Sequence, residues 1–136
     1  MRQFFYVLIA VIGLAQAAPA QTGPEAEIEN TIQSQLDAFL ADDFVAAFDY
    51  AAPNIQGMFR TPQNFEMMVK RGYPMVWRPD DVTFGDLRAD GAEMAQRVII
   101  RDQKGETHVL EYRLVDQGGM WRISGVQILP QPGVSA

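Results

Sequence analysis

Cysteine is missing from the 136 residues altogether, and histidine occurs once, as His108. The fold has no disulfide to lean on and must be held by packing alone. A transition-metal centre would lack its usual nitrogen and sulfur ligands, and Asp42-Asp43 lacks the spaced oxygen donors of a calcium loop. Glycine-rich phosphate loops, nucleophile elbows and dinucleotide fingerprints are absent too. Neither a metal nor a cofactor is expected. Cations are outnumbered, 11 against 17 acids, and the resulting charge of −6 makes nucleic acid a poor partner.

Long apolar runs are equally scarce. The one present, residues 4–14, falls well short of the ~20 residues that cross a bilayer. Arg2 precedes it. Ala15-Gln16-Ala17 and Ala18-Pro19-Ala20 follow it with the small-x-small spacing that a signal peptidase reads. Residues 1–20 are thus expected to be a cleavable signal peptide, and residues 21–136 a single periplasmic or secreted domain. An uncleaved anchor is the alternative. No cysteine follows the run to carry a lipid, so no stable membrane attachment is expected after processing.

The remainder divides into a helical half and a strand half. Thr22-Gly23-Pro24-Glu25 has the spacing of a capping box, with proline tolerated in the first turn. Ile28, Ile32, Leu36, Phe39 and Leu40 then recur at helical spacing. Asp42-Asp43 can cap a second helix that carries Phe44, Ala47, Phe48 and Ala51 on one face and stops at Pro53. A third helix starts at an N-cap, Thr61, followed by Pro62, and turns Phe65, Met68 and Val69 inward. Lys70 and Arg71 suit the negative end of its dipole, and Gly72 suits a left-handed terminus. Met75-Val76-Trp77, boxed between Pro74 and Pro79, reads as a short edge strand.

From Val82 onward the period drops to two. Residues 82–88, 94–102, 107–116 and 120–129 read as strands. Ala89-Asp90-Gly91, Gln103-Lys104-Gly105 and Gln117-Gly118-Gly119 are the hairpin turns between them. Helices first and an antiparallel meander after is an α+β order. It places three helices on one face of a curved, mainly antiparallel sheet made of a short edge strand and a four-stranded meander.

That order, closing on Trp121-Arg122-Ile123, resembles the nuclear-transport-factor-2-like (NTF2-like) cone, also called SnoaL-like. Several segments resemble one uncharacterised bacterial family more narrowly, domain-of-unknown-function family 4864. They include Gln35-Leu36-Asp37-Ala38-Phe39, Ala41-Asp42-Asp43-Phe44, Ala47-Phe48, Arg60-Thr61-Pro62 and Thr107-His108-Val109-Leu110-Glu111-Tyr112. The most specific is Gly72-Tyr73-Pro74-Met75-Val76-Trp77-Arg78-Pro79. The resemblance implies a fold, and no catalytic residue comes with it.

Enzymes of the wider superfamily, ketosteroid isomerases and scytalone dehydratase among them, place acids, tyrosines or histidines inside the cone. Alternation here puts His108, Leu110, Tyr112 and Leu114 on one face with Val98, Ile100, Trp121 and Ile123. His108 and Tyr112 are the catalytic candidates on that face. The plainer reading is an edge histidine beside a core tyrosine whose hydroxyl finds a backbone partner. A non-catalytic role, structural or binding a small apolar or anionic ligand, suits so apolar an interior better. Tyr73, Trp77, Arg78, Tyr112 and Trp121 are its candidate contacts, and an isomerase or dehydratase is the rival. The opposite face gathers Arg97, Arg101, Arg113 and Arg122 around Glu111, a candidate docking face for a partner or a second copy. Acids on the turns, such as Asp102 and Asp116, offer a plainer balance for that charge.

Overall fold

The computed structural model describes residues 23–130, so the expected signal peptide lies outside the described residues. Helix α1 (Pro24–Leu40) buries Ile28, Ile32, Leu36 and Phe39 on one stripe, with Gln35 beside them. Leu40, read as part of that stripe, is exposed instead, where the helix ends at Ala41. The N-cap is Gly23 without a side-chain cap, and Thr22, the expected capping residue, lies outside the described residues. Helix α2 (Phe44–Asp49) begins on Asp43, whose carboxylate accepts the Ala46 N–H at 3.1 Å.

Pro53, the expected stop of α2, lies beyond that helix, which ends at Asp49. It opens α3 (Pro53–Phe59), a helix the sequence reading missed, because proline's fixed φ suits a first helical turn as well as a break. Helix α4 (Pro62–Gly72) has the expected cap, with Thr61 Oγ1 accepting from the Asn64 N–H at 3.1 Å. Two expectations at its far end are overturned. Gly72 is the last helical residue, not a left-handed terminus, and the chain turns away at Tyr73 with φ −136°. Met75-Val76-Trp77 is not an edge strand but part of a helical turn, α5 (Pro74–Trp77). Pro74 takes its first position, and the Tyr73 carbonyl accepts from the N–H groups of Val76 and Trp77 at 2.9 and 3.2 Å. The described residues thus form five helices where three were expected.

Strands β1 (Pro79–Asp90), β2 (Glu93–Asp102), β3 (Thr107–Gln117) and β4 (Met120–Leu129) make one antiparallel meander in chain order. β1, starting at Pro79, is itself the edge. Gly118 and Gly119 carry φ of 62° and 91° in the β3–β4 turn, a geometry that side chains resist. Val98, Ile100, Leu110, Tyr112 and Leu114 are fully buried on the inner sheet face and share one core with the α1 stripe.

A bulge near the middle of β4 ties the two layers together. Arg113 pairs with Gly125 but Leu114 pairs with Ile123, which leaves Ser124 as the extra residue. Ile123 then bonds to the segment between α2 and α3. Its N–H donates to the Tyr50 carbonyl at 2.8 Å, and its carbonyl accepts from the Ala52 N–H at 2.7 Å. The result is a parallel bridge between Ala51 and Ile123.

The helical backbone at Gly72 leaves open space where a Cβ would stand. Gly72→Ala is therefore expected to raise the unfolding free energy by about 0.5–1 kcal/mol, measured by urea denaturation. Destabilisation would reinstate the left-handed terminus.

Candidate functional site

Between the helices and the inner sheet face lies a cavity of about 290 Å³. Phe39 of α1 and Phe65 and Val69 of α4 form one wall; Ile55, Met58 and Phe59 of α3 form another. Tyr112 of β3 and Ile123, Gly125 and Val126 of β4 supply the sheet side. Met58 lines this space and is also 68 % exposed, which marks the mouth. The Phe65 ring organises the apolar wall, with centroids 5.3 Å from Phe48, 5.9 Å from Phe59 and 6.0 Å from Phe39.

Among the described residues, no charged side chain lines the cavity. Three uncharged hydrogen-bonding side chains do, and two of them are committed. Gln35 donates Nε2 to the Ala47 carbonyl at 3.1 Å, and the Tyr73 hydroxyl donates to the Val126 carbonyl at 3.1 Å. Tyr112 is fully buried, and its hydroxyl has no hydrogen-bond partner among the described residues. The backbone partner expected for it is not there. Burial first, and the neighbouring Tyr73 second, push the Tyr112 phenol well above the usual tyrosine range. It therefore stays protonated and remains a donor.

The other candidate residues sit elsewhere. Trp77 and Arg78 lie off the cavity lining and converge on Asp42. The Trp77 indole N–H donates to Asp42 at 3.0 Å. The Arg78 guanidinium grips both oxygens of the same carboxylate at 2.9 and 3.0 Å and also donates to the Phe39 carbonyl at 2.8 Å. Arg78 and Lys70 stack on the Trp77 ring at 4.3 and 4.9 Å. Trp121 is half-buried at the start of β4, where its carbonyl accepts from Thr31.

His108 is not at the cavity. Its Nε2 meets Asp102 at 2.8 Å, while the other Asp102 oxygen accepts the Lys104 and Glu106 N–H groups of the hairpin turn. Sequence reasoning set a metal aside because histidine is single, yet the ligand atoms of Asp102, Glu106 and His108 lie within 4.8 Å of one another. Asp102 is already engaged there by the turn and by His108.

On the outer sheet face the arginines pair with nearby acids, and Arg113 also reaches Glu93 and Glu111, each at 3.7 Å. Arg101 pairs with Asp80 at 3.2 Å, and Arg113 pairs with Asp90 at 2.9 Å. Arg88, which sequence reasoning left out, pairs at 2.6 Å with the buried Glu111. Arg97 is exposed and faces Glu111 across the ladder. Arg122 turns away and donates to the Asp49 carbonyl at the end of α2.

Sequence reasoning also missed Ile55, Met58 and Phe59 as cavity residues. The i, i+4 spacing of Ile55 and Phe59 behind Pro53 was the signal for them.

A family model, Domain of unknown function (DUF4864), matches residues 21–136. Several solved structures are similar. One is a SEC-C motif-containing protein from Rhodopseudomonas palustris, 15% identical, covering 77% of this chain and 80% of that one at a TM-score of 0.57. An NTF-2 like protein of unknown function from Shewanella oneidensis MR-1 is 15% identical, covering 78% and 98% at a TM-score of 0.52. A phospholipid-binding protein from Ralstonia solanacearum, solved in complex with a phospholipid, is 16% identical, covering 76% of each chain at a TM-score of 0.51. At such identities the likeness is one of fold, and the fold is the NTF2-like α+β cone. No curated protein sequence matches the chain.

Two measurements probe this geometry. The unpartnered Tyr112 hydroxyl carries a desolvation cost with no bond to offset it, so Tyr112→Phe should stabilise the ligand-free protein by about 1 kcal/mol in urea melts. The second concerns Asp42, which the Trp77 indole, and after it Arg78, hold below the usual carboxylate range. A depressed folded-state pKa means its contribution is complete above about pH 4 and is lost as the pH falls through that lower value. The stability gap between wild type and Asp42→Asn should therefore be flat near neutrality and shrink in more acidic urea melts.

Proposed function

Because the chain belongs to the DUF4864 family and has the NTF2-like fold, we propose that it is an exported protein that binds one small apolar molecule in its cavity without transforming it. The observation that carries this reading is the cavity itself: about 290 Å³, walled by aromatic and aliphatic side chains, with no charge in its lining. General acid–base chemistry needs a base within hydrogen-bond reach of the reacting proton. His108 is engaged with Asp102 at the hairpin end, and the Tyr112 phenol has no base beside it. Binding is thus better supported than isomerisation or dehydration.

The phospholipid bound by the Ralstonia protein of the same fold supports an apolar occupant. Export rests on the charged start, short apolar run and small-x-small sites of residues 1–20. Among the described residues no helix is long and apolar enough to cross a membrane.

N-phenyl-1-naphthylamine, a neutral fluorophore that brightens in apolar surroundings, should bind saturably with one site per chain. Ile55→Trp projects bulk into the cavity from α3 and should weaken that binding at least tenfold while leaving the thermal midpoint within a few degrees. Unsaturable fluorescence, or binding indifferent to Ile55→Trp, would count against the proposal. Native mass spectrometry of protein from its own host should show a retained small molecule. Recovery from the periplasm or medium, with an amino terminus near Ala18 or Gln21, tests export separately.

A further inference from the structure

Apolar binding in this cavity, once granted, also narrows the chemical class of the occupant. We infer that it is an uncharged molecule about the size of a two-ring aromatic, bearing one oxygen acceptor, such as a ketone or ester carbonyl, that takes the hydrogen bond of Tyr112 Oη. The inference rests on the binding proposal.

Size comes first. An apolar cavity of ~150 Å³ takes up benzene, and the present one is roughly twice that. It lies at the lower edge of the ~300–1,000 Å³ range of small-molecule pockets. A bicyclic molecule or a short chain fits those bounds, and the two acyl chains of a phospholipid do not.

Charge comes second. An anion in this space would be stripped of water with no cation in the lining to receive it. Arg78, the cation among the expected contacts, lies outside the lining and is spent on Asp42 and on the Phe39 and Trp77 carbonyls. A cation fares no better, because no carboxylate lines the cavity. The occupant is therefore neutral.

The hydrogen bond comes third. Gln35 Nε2 and the Tyr73 hydroxyl each already donate to a backbone carbonyl. Tyr112 belongs to the cavity lining, and its Oη is a fully buried donor with nowhere in the described protein to place its proton. Orphaned buried donors are rare in folded proteins because each costs stability. A carbonyl oxygen brought in by the ligand removes that cost only when the site is filled. This couples acceptor chemistry to affinity.

Three matched naphthalenes test the inference by displacement of N-phenyl-1-naphthylamine from the purified protein. They are 2-acetylnaphthalene with a neutral acceptor, 2-ethylnaphthalene with none, and 2-naphthoate with a negative charge. The ratio of ketone to ethyl affinity should be about tenfold higher in wild type than in Tyr112→Phe, the yield of one buried hydrogen bond. 2-Ethylnaphthalene should bind both proteins alike, which also shows that Tyr112→Phe keeps its fold. 2-Naphthoate should bind wild type at least tenfold more weakly than the ketone. Equal ratios in the two proteins, or naphthoate matching the ketone, would overturn the inference and leave the apolar-binding proposal standing. Failure of both neutral naphthalenes to displace the probe would overturn that proposal too.

Discussion

Ile123 serves two layers at once. Its side chain is buried in the core, while its N–H and carbonyl leave the β3–β4 ladder to bond Tyr50 and Ala52 at 2.8 and 2.7 Å. On the edge strand β4 every second residue turns its N–H and carbonyl away from the partner strand, and Ile123, opposite Leu114 beside the bulge, is one of them. The position of Ala51 fixes where Pro53 starts α3, and α3 supplies Ile55, Met58 and Phe59 to the cavity wall. The bridge between Ala51 and Ile123 therefore fixes where the helix layer meets β4.

A second tie closes the other end of the helix layer. Asp42 sits in the α1–α2 turn with a positive φ of 54° and receives both the Trp77 indole and the Arg78 guanidinium from the α5–β1 junction. The groups are solvent-accessible, so the ion pair alone adds little. Arg78 Nη2 reaching both carboxylate oxygens, its Nη1 on two backbone carbonyls and the stacked tryptophan give the pair positional value instead. Ile123 and Asp42 together hold the helices apart at two ends. Among the described residues, Tyr112 Oη is the fully buried side-chain polar atom without a hydrogen-bond partner, and Tyr112 lines the cavity.

The strands were legible in sequence because one sheet face is buried and the other wet, which writes a period of two into Val98, Ile100, Leu110, Tyr112 and Leu114. The turn glycines and the caps at Asp43 and Thr61 were legible because each is a local rule satisfied locally. Errors gathered where distant contacts decide. Residues 74–77 are too few for periodicity to choose between strand and helix, and Trp77 is held by a carboxylate 35 positions away. Gly72 looked like a stop because glycine often is one, yet the bend falls at Tyr73, whose hydroxyl is anchored on β4. The candidate site was half legible. Tyr73 and Tyr112 could be placed inward by their positions, but the idle hydroxyl of Tyr112 depends on what does not face it in space, and no spacing rule carries that.

The central claim is that the two ties keep open an apolar cavity with Tyr112 in its lining. Xenon enters apolar cavities of this kind and scatters anomalously, so a crystal of the protein under xenon pressure tests the claim most directly. The account predicts an anomalous peak enclosed by Phe39, Phe65 and Tyr112. Absence of that peak, with Met58 and Phe59 folded inward to occupy the space, would contradict it.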